Sequence, residues 1–236
     1  MTLHIMHVNL ARGFRGGERQ TELLIKALAS LGLKQSLVCR TDSPLHAHLR
    51  NTENLSFVNA NHQLMGHFQA PKADLIHAHE AKAVHWAWLH HCIWRIPYIL
   101  TRRVPQSVKD NRFNQYCYQN ASMAVAISSP IEQHLNLRHW CPVQRIPSAL
   151  AHLKSNPEQV AELRSTYAGH FIIGHAGALV DKHKGQRELI AAARLVTKEV
   201  PEAIFLIDMN SSYIIASNFQ IDQFYRMFFS LHNAFL

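Results

Sequence analysis

Residues 3–32 read LHIMHVNLARGFRGGERQTELLIKALASLG, and the order strand, glycine turn, helix within this stretch decides the fold. Leu3–Val8 is a short run of mostly apolar residues, the length of a buried strand and too short for a helix. Leu23, Leu24, Ala27, Leu28 and Leu31 fall at i, i+1, i+4, i+5 and i+8. They form one apolar stripe of helical period, with Gly32 placed to stop it. Between strand and helix lies Asn9-Leu10-Ala11-Arg12-Gly13-Phe14-Arg15-Gly16-Gly17-Glu18. A glycine-rich turn entering a helix lets backbone N–H groups approach a phosphate, and the positive end of the helix dipole favours the charge. Arg12, Arg15 and Arg19 add charge-assisted donors. The spacing fits neither the dinucleotide-binding GxGxxG nor a P-loop, and glycines at such turns also occur for steric reasons alone.

Outward from this unit the alternation continues. Strands are predicted at Gln35–Cys39, Leu55–Val58, Asp74–His77, Tyr98–Thr101, Met123–Ile127 and Val143–Ile146. Glu80–Ile93 reads as a helix with Pro97 as the breaker behind it, and Ser128-Ser129-Pro130 opens another. Strands alternating with helices define an α/β class: a Rossmann-like parallel sheet with helices on both faces. Pro147–Pro157 carries prolines, serines and an asparagine without periodicity and reads as a linker. The pattern then restarts with a helix around Glu158–Tyr167, a strand Phe171–Ala176, a helix Gly185–Val200 and a strand Ala203–Ile207. Two strands and one crossover cannot cover both faces of a parallel sheet, so this second Rossmann-like lobe is expected to be incomplete. The expected organisation is a first lobe over 1–147, a linker over 148–157, a partial lobe over 158–207 and an atypical aromatic tail over 208–236. In that tail Ile221, Phe224, Tyr225, Phe228 and Phe229 recur at helical spacing, the pattern of a helix that patches the unfinished lobe or docks on a membrane surface.

Lys and Arg number 24 against 16 Asp and Glu, a formal net charge of +8, which admits nucleic acid, anionic membranes and phosphorylated molecules as partners. The basic residues are scattered and no helix-turn-helix, zinc-finger or RNA-binding consensus accompanies them, so nucleic acid is not expected. With 47% hydrophobic and 17% charged residues, a sizeable core is expected and wholesale disorder is not. No apolar run reaches the ~18 residues of a membrane span. Met1–Val8, interrupted by His4 and His7, does not read as a signal peptide. Cys39, Cys92, Cys117 and Cys141 stand far apart, which excludes a zinc ribbon or disulfide scaffold and points to a reducing, cytoplasmic compartment.

Six further features occur in order: Gly16-Gly17, Asp74-Leu75-Ile76-His77-Ala78-His79, Ala126-Ile127-Ser128-Ser129, Ile146-Pro147-Ser148-Ala149, Ile173-Gly174-His175-Ala176-Gly177-Ala178-Leu179, and Lys184-Gly185 followed by Leu189-Ile190-x-Ala192. Over roughly the first 207 residues this set resembles the GT-B glycosyltransferases of family 4. The resemblance implies a GT-B fold: an N-terminal acceptor-binding lobe, here followed by the start of a donor-binding lobe, with transfer from a nucleotide sugar and retention of configuration. By the same resemblance, Gly16 and Gly17 approach the donor phosphates, and Lys184 neutralises the leaving diphosphate as charge builds on its oxygen. The nucleotide sugar is a substrate, and no cofactor is implied. The family's arginine after the glycine of this strand is replaced by Gly177-Ala178-Leu179, with Lys182 as a substitute. Its Glu-x7-Glu pair for donor sugar and ribose has no counterpart in 208–236, so weak or absent turnover is expected of this chain.

His77-Ala78-His79-Glu80 also has the look of a metal set, because residues two apart on a strand share a face. The resemblance accounts for the histidines without metal, since that strand end faces the acceptor, and His79 is then the expected catalytic group. Arg102 and Arg103 stand where relatives carry a histidine. An arginine is no proton shuttle at neutral pH but suits an anionic acceptor, such as a lipid-linked sugar or a lipopolysaccharide core. Arg12, Arg15, His77, Arg102 and Arg103 are therefore the expected acceptor contacts, at the cytoplasmic face of a membrane with peripheral attachment. Trp86, Trp88 and Trp94 read as packing, with a membrane edge as the other reading. A non-catalytic acceptor-lobe binding module, needing a second chain, is the alternative to an enzyme.

Overall fold

The computed structural model describes residues 3–150, 155–176, 185–208 and 213–216. The chain divides into two compact units, Met1–His152 and Leu153–Leu236.

The first unit is a seven-stranded, wholly parallel sheet in the order β3-β2-β1-β4-β5-β6-β7. Its strands are β1 (His4–Val8), β2 (Lys34–Cys39), β3 (Leu55–Asn59), β4 (Leu75–Ala78), β5 (Tyr98–Arg102), β6 (Met123–Ala126) and β7 (Val143–Arg145). Its helices are α1 (Gly16–Ser30), α2 (Pro44–Leu49), α3 (Gln63–Gln69), α4 (Ala81–Trp94), α5 (Arg112–Gln119) and α6 (Ser129–Asn136). Chain order reverses between β1 and β4, so the carboxyl ends of those two strands flank the switch point at which α/β sheets carry their sites.

The helix ends follow local chemistry. Gly32 takes the left-handed conformation, φ 73°, and its N–H closes α1 on the Ala29 carbonyl. Glu80 is the N-cap of α4, its carboxylate accepting from the Lys82 and Ala83 N–H groups. Arg95 ends the same helix in the left-handed region two residues before Pro97. Ser128 is the N-cap residue of α6 but its hydroxyl makes no capping bond, and the start rests on Pro130 in the first turn.

Two apolar clusters sandwich the sheet. Met6, Val8, Val38, Ile76 and Leu100 pack with Ala83, Val84, Trp86 and Ala87 of α4. Leu37 and Cys39, alternating with Val38, pack with Ile25 of α1 and Leu45 and Leu49 of α2. Burial pushes the Cys39 and Cys117 thiols up to about 12, which makes both packing residues at neutral pH.

The second unit carries α7 (Pro157–Thr166), β8 (Phe171–Ala176), α8 (Gln186–Glu199), β9 (Ala203–Asp208) and β10 (Tyr213–Ala216). β8 and β9 are parallel, and β10 adds antiparallel to β9. Ala193 of α8 packs on Ala203 and Phe205 of β9. β10 is an extra strand inside the stretch read from sequence as the aromatic tail. The helix expected around Ile221–Phe229 lies outside the described residues, as do Gly177, Ala178, Leu179, Lys182 and Lys184.

Candidate functional site

The site of the first unit is built where β1, β4 and β5 end beside the N-terminus of α1. β1 and β4 are in register, His7 opposite His77, and His79 lies one residue beyond the end of β4 on the same face as His77. Three imidazoles therefore meet: ring centroids lie 4.0 Å apart for His77–His79, 5.2 Å for His7–His79 and 6.0 Å for His7–His77.

Their hydrogen bonds have a definite direction. Gln35 Nε2 donates to the Ile25 carbonyl at 3.0 Å, which leaves Gln35 Oε1 to accept from His7 Nε2–H at 3.1 Å. His7 Nδ1 then carries the lone pair and accepts from His79 Nε2–H at 3.0 Å. His79 Nδ1 faces Arg103 Nη2 at 3.5 Å, while Arg103 Nη1 donates to the His79 carbonyl at 2.7 Å. His77 Nε2 shares a 2.7 Å bond with the Thr101 hydroxyl. Burial holds the His7 ring at about 4. Burial, then His7 and Arg103, lowers His77 to about 3. His79 lies well below the usual imidazole range for the same first cause, with the neighbouring histidines and Arg103 adding to it. All three rings are neutral at pH 7. His79 and His7 form one tautomeric chain running from Arg103 inward to Gln35, while His77 packs beside it and bonds Thr101.

Ligand atoms of His7, His77 and His79 all lie within 4.8 Å of one another, the spacing of a metal set. The donor chemistry does not fit one. The His7 lone pair is already met by the His79 proton, and a bound cation would face the Arg103 guanidinium.

Above the histidines, the entry to α1 is tied down at three points. Glu18 Oε2 accepts the Arg15 N–H at 2.8 Å, Asn9 Oδ1 accepts the Ala11 N–H at 3.1 Å, and Glu80 Oε1 accepts the Leu10 N–H at 3.3 Å. Gly16 and Gly17 are the first two helical residues. A Cβ at Gly16 would meet nothing within 4 Å, and one at Gly17 only Arg103 Cδ at 3.7 Å. The fold's own packing does not demand glycine at either position. What their bareness does is leave the α1 N-terminus open beside Arg103.

Arg103 is half-buried, yet no carboxylate of the described residues stands within 4 Å of it, and its Nε–H is buried without a partner. Glu18 contributes only a longer-range attraction. Below Arg103, on the α1 side of the sheet, lies a cavity of about 320 Å³. Its floor is His77, Thr101 and Arg103, and its walls include Leu23, Leu24, Ile127 and Ile146.

The structure thus gathers Gly16, Gly17, His77, His79 and Arg103, and it separates other expected partners. Arg102 and Arg103, adjacent at a strand end, take opposite faces: Arg102 reaches the Gln106 carbonyl beside Ile131 and Leu135. Arg12 and Arg15 are exposed on the turn itself. His79, the expected catalytic group, is buried with both ring nitrogens engaged, Nε2 with His7 and Nδ1 facing Arg103. His7, Gln35 and Glu18 are not singled out by the sequence, and Glu80, the carboxylate of the metal-like set, binds the Leu10, Lys82 and Ala83 N–H groups. The available signal for His7 was a polar side chain within a strand buried at every position.

A parallel αβ sheet with a bare, cation-flanked helix entry at its switch point, followed by a second Rossmann-like unit, is the class of GT-B proteins. Residues 14–149 match the family model Glycosyltransferase Family 4, and the chain belongs to that family. Solved structures similar in fold include Anabaena Alr3699/HepE in complex with UDP and glucose, at TM-score 0.69 and 17% identity, covering 87% of this chain and 60% of that one. A glycosyltransferase from Rickettsia africae ESF-5 matches at TM-score 0.69 and 17% identity over 97% of this chain and 65% of its own. The lipopolysaccharide outer core galactosyltransferase WaaB, in its apo form, matches at TM-score 0.56 and 14% identity over 96% and 65%. The chain therefore spans about three-fifths of the length of these proteins. Comparison with curated protein sequences finds no match.

Proposed function

We propose that this chain carries the acceptor-side lobe of a nucleotide-sugar glycosyltransferase acting on an anionic cell-envelope acceptor, a lipopolysaccharide core or lipid-linked glycan, at the inner membrane face. The observation that supports this reading best is Arg103, a half-buried cation with a buried, unpartnered Nε–H and no carboxylate partner, beside the bare start of α1. Helix N–H groups and a guanidinium converging on open space are suited to phosphate. Gly16 and Gly17 admit a donor phosphate, and Lys184, by family resemblance, neutralises the leaving diphosphate during a retaining transfer. Arg103 and His77 serve the acceptor, with Arg12 and Arg15 on the exposed turn above them; Arg102, on the opposite face, has no part in this site. His79 acts through Arg103, since its one ring proton, on Nε2, is committed to the chain that ends on Gln35.

The second reading, a binding module that holds an acceptor without turning it over, is favoured by His79, which is buried with both ring nitrogens engaged. Titration calorimetry with a phosphorylated sugar and with UDP-glucose, paired with an assay of UDP release, tests both. The phosphosugar is expected to bind, and Arg103→Ala to weaken it at least ~10-fold; binding indifferent to that change overturns the site. Slow or absent UDP release supports the module reading, and brisk release removes it.

A further inference from the structure

The face formed by α3 and α4 is built unlike the rest of the surface. Leu64 is 70% exposed, Met65 55% and Phe68 69%, all on one arc of α3, while Ile93 and Trp94 are exposed at the end of α4. Phe68 and Trp94 meet edge to face at 6.5 Å, so the two helices present one apolar surface. It is held rigidly from beneath. Trp94 Nε1–H donates to the His67 carbonyl at 3.0 Å, and His67, Trp86 and His90 form a parallel stack with centroids 4.2 and 4.7 Å from Trp86. Burial lowers His67 and brings His90 to about 4, so the stack is neutral at pH 7 and the patch carries no charge of its own.

Its border is positive. Exposed Lys72 follows α3 by three residues, and exposed Arg95 follows Trp94 directly. From Gln63 to Lys109 the only acids are Asp74 and Glu80. Asp74 Oδ2 accepts the His4 N–H and Glu80 caps α4, so both carboxylates are engaged with backbone. A rigid apolar ridge with aromatic residues, rimmed by cations and free of unengaged carboxylates, complements an anionic lipid interface.

We propose that the α3–α4 face is a peripheral membrane contact in which Leu64, Met65, Phe68 and Trp94 enter the headgroup boundary and Lys72 and Arg95 meet anionic phospholipid. The proposal names the face for the membrane attachment in the functional reading and stands whether or not the chain is catalytic. The test is sedimentation of the full 236-residue chain with vesicles of phosphatidylcholine alone and of phosphatidylcholine with phosphatidylglycerol. Partition onto the anionic vesicles is expected to exceed that onto the neutral ones by at least tenfold. L64S/F68S, changing two side chains that make no core, is expected to lower it tenfold or more, and K72Q/R95Q to weaken it and flatten its salt dependence. Trp94→Phe should remove the quenching of tryptophan fluorescence by brominated lipid. Partition that is absent, or persists in L64S/F68S with unchanged circular dichroism, overturns the proposal. So does a dimer that L64S/F68S dissolves, which would make the face a contact between copies. Vesicle binding and phosphosugar binding are separate readouts, so failure of one leaves the other standing.

Discussion

His7 shows what a single buried polar residue does to this protein. Its folded-state ring is held at about 4 by burial, while an unfolded histidine titrates near 6.5. Between those values the unfolded chain binds the extra proton, so unfolding free energy rises with pH; stability is full above pH 6.5 and declines as pH falls toward 4. His7 alone contributes at most about 1.4 kcal/mol per pH unit in that window, and His77 steepens it in the same direction. Urea unfolding at pH 7, 5.5 and 4.5 should show this slope, and a flat profile would contradict the neutral chain. Gln35→Leu strips partners from His7 Nε2–H and the Ile25 carbonyl and should cost about 2–4 kcal/mol by the same measurement. Gln35→Glu keeps the acceptor and places a carboxylate against the ring, so His7 should titrate higher and the acid slope flatten. That His77 and His79 share a face is legible from their spacing. That His7 completes the set is not, because strand register is settled by packing across the sheet.

At the scale of elements, Glu80 joins two pieces of the site. It caps α4 through the Lys82 and Ala83 N–H groups and holds the Leu10 N–H of the glycine turn. Glu80→Ala should cost about 2 kcal/mol in unfolding free energy and also speed hydrogen exchange at Leu10, a change that loss of the cap alone would not produce. Long elements were readable: α1 and α8 from a strong period, α4, apolar all round, from its length and the Pro97 behind it, and the strands that flank them. The short helices α2, α3 and α5 were not, since six to eight residues give too few turns for a period to register and their starts rest on single caps such as Ser43 and Asn111. β10 escaped for a related reason. Its four residues form a strand because β9 offers an open edge, which is a property of the neighbour.

At the scale of the molecule, each unit keeps its own apolar clusters: two line the faces of the seven-stranded sheet and one sits between α8 and β9. A chain ending at Leu150 should therefore fold, unfolding cooperatively within about 5 °C of the full chain's main transition, as followed by circular dichroism. A broad, non-cooperative melt would mean the sheet draws on the second unit. Sequence alone determined the α/β class, the order of the first nine strands and the longer helices, and the glycine turn at α1, because periodicity and helix-ending residues act over a few neighbours along the chain. Only the tertiary structure decided that Arg103 turns to α1 while Arg102 turns away, that His79 and His7 form one directed chain of hydrogen bonds with His77 packed beside them, and that α3 and α4 share an apolar ridge. Those features join residues tens of positions apart, whose meeting is set by strand register and by which groups the core can satisfy.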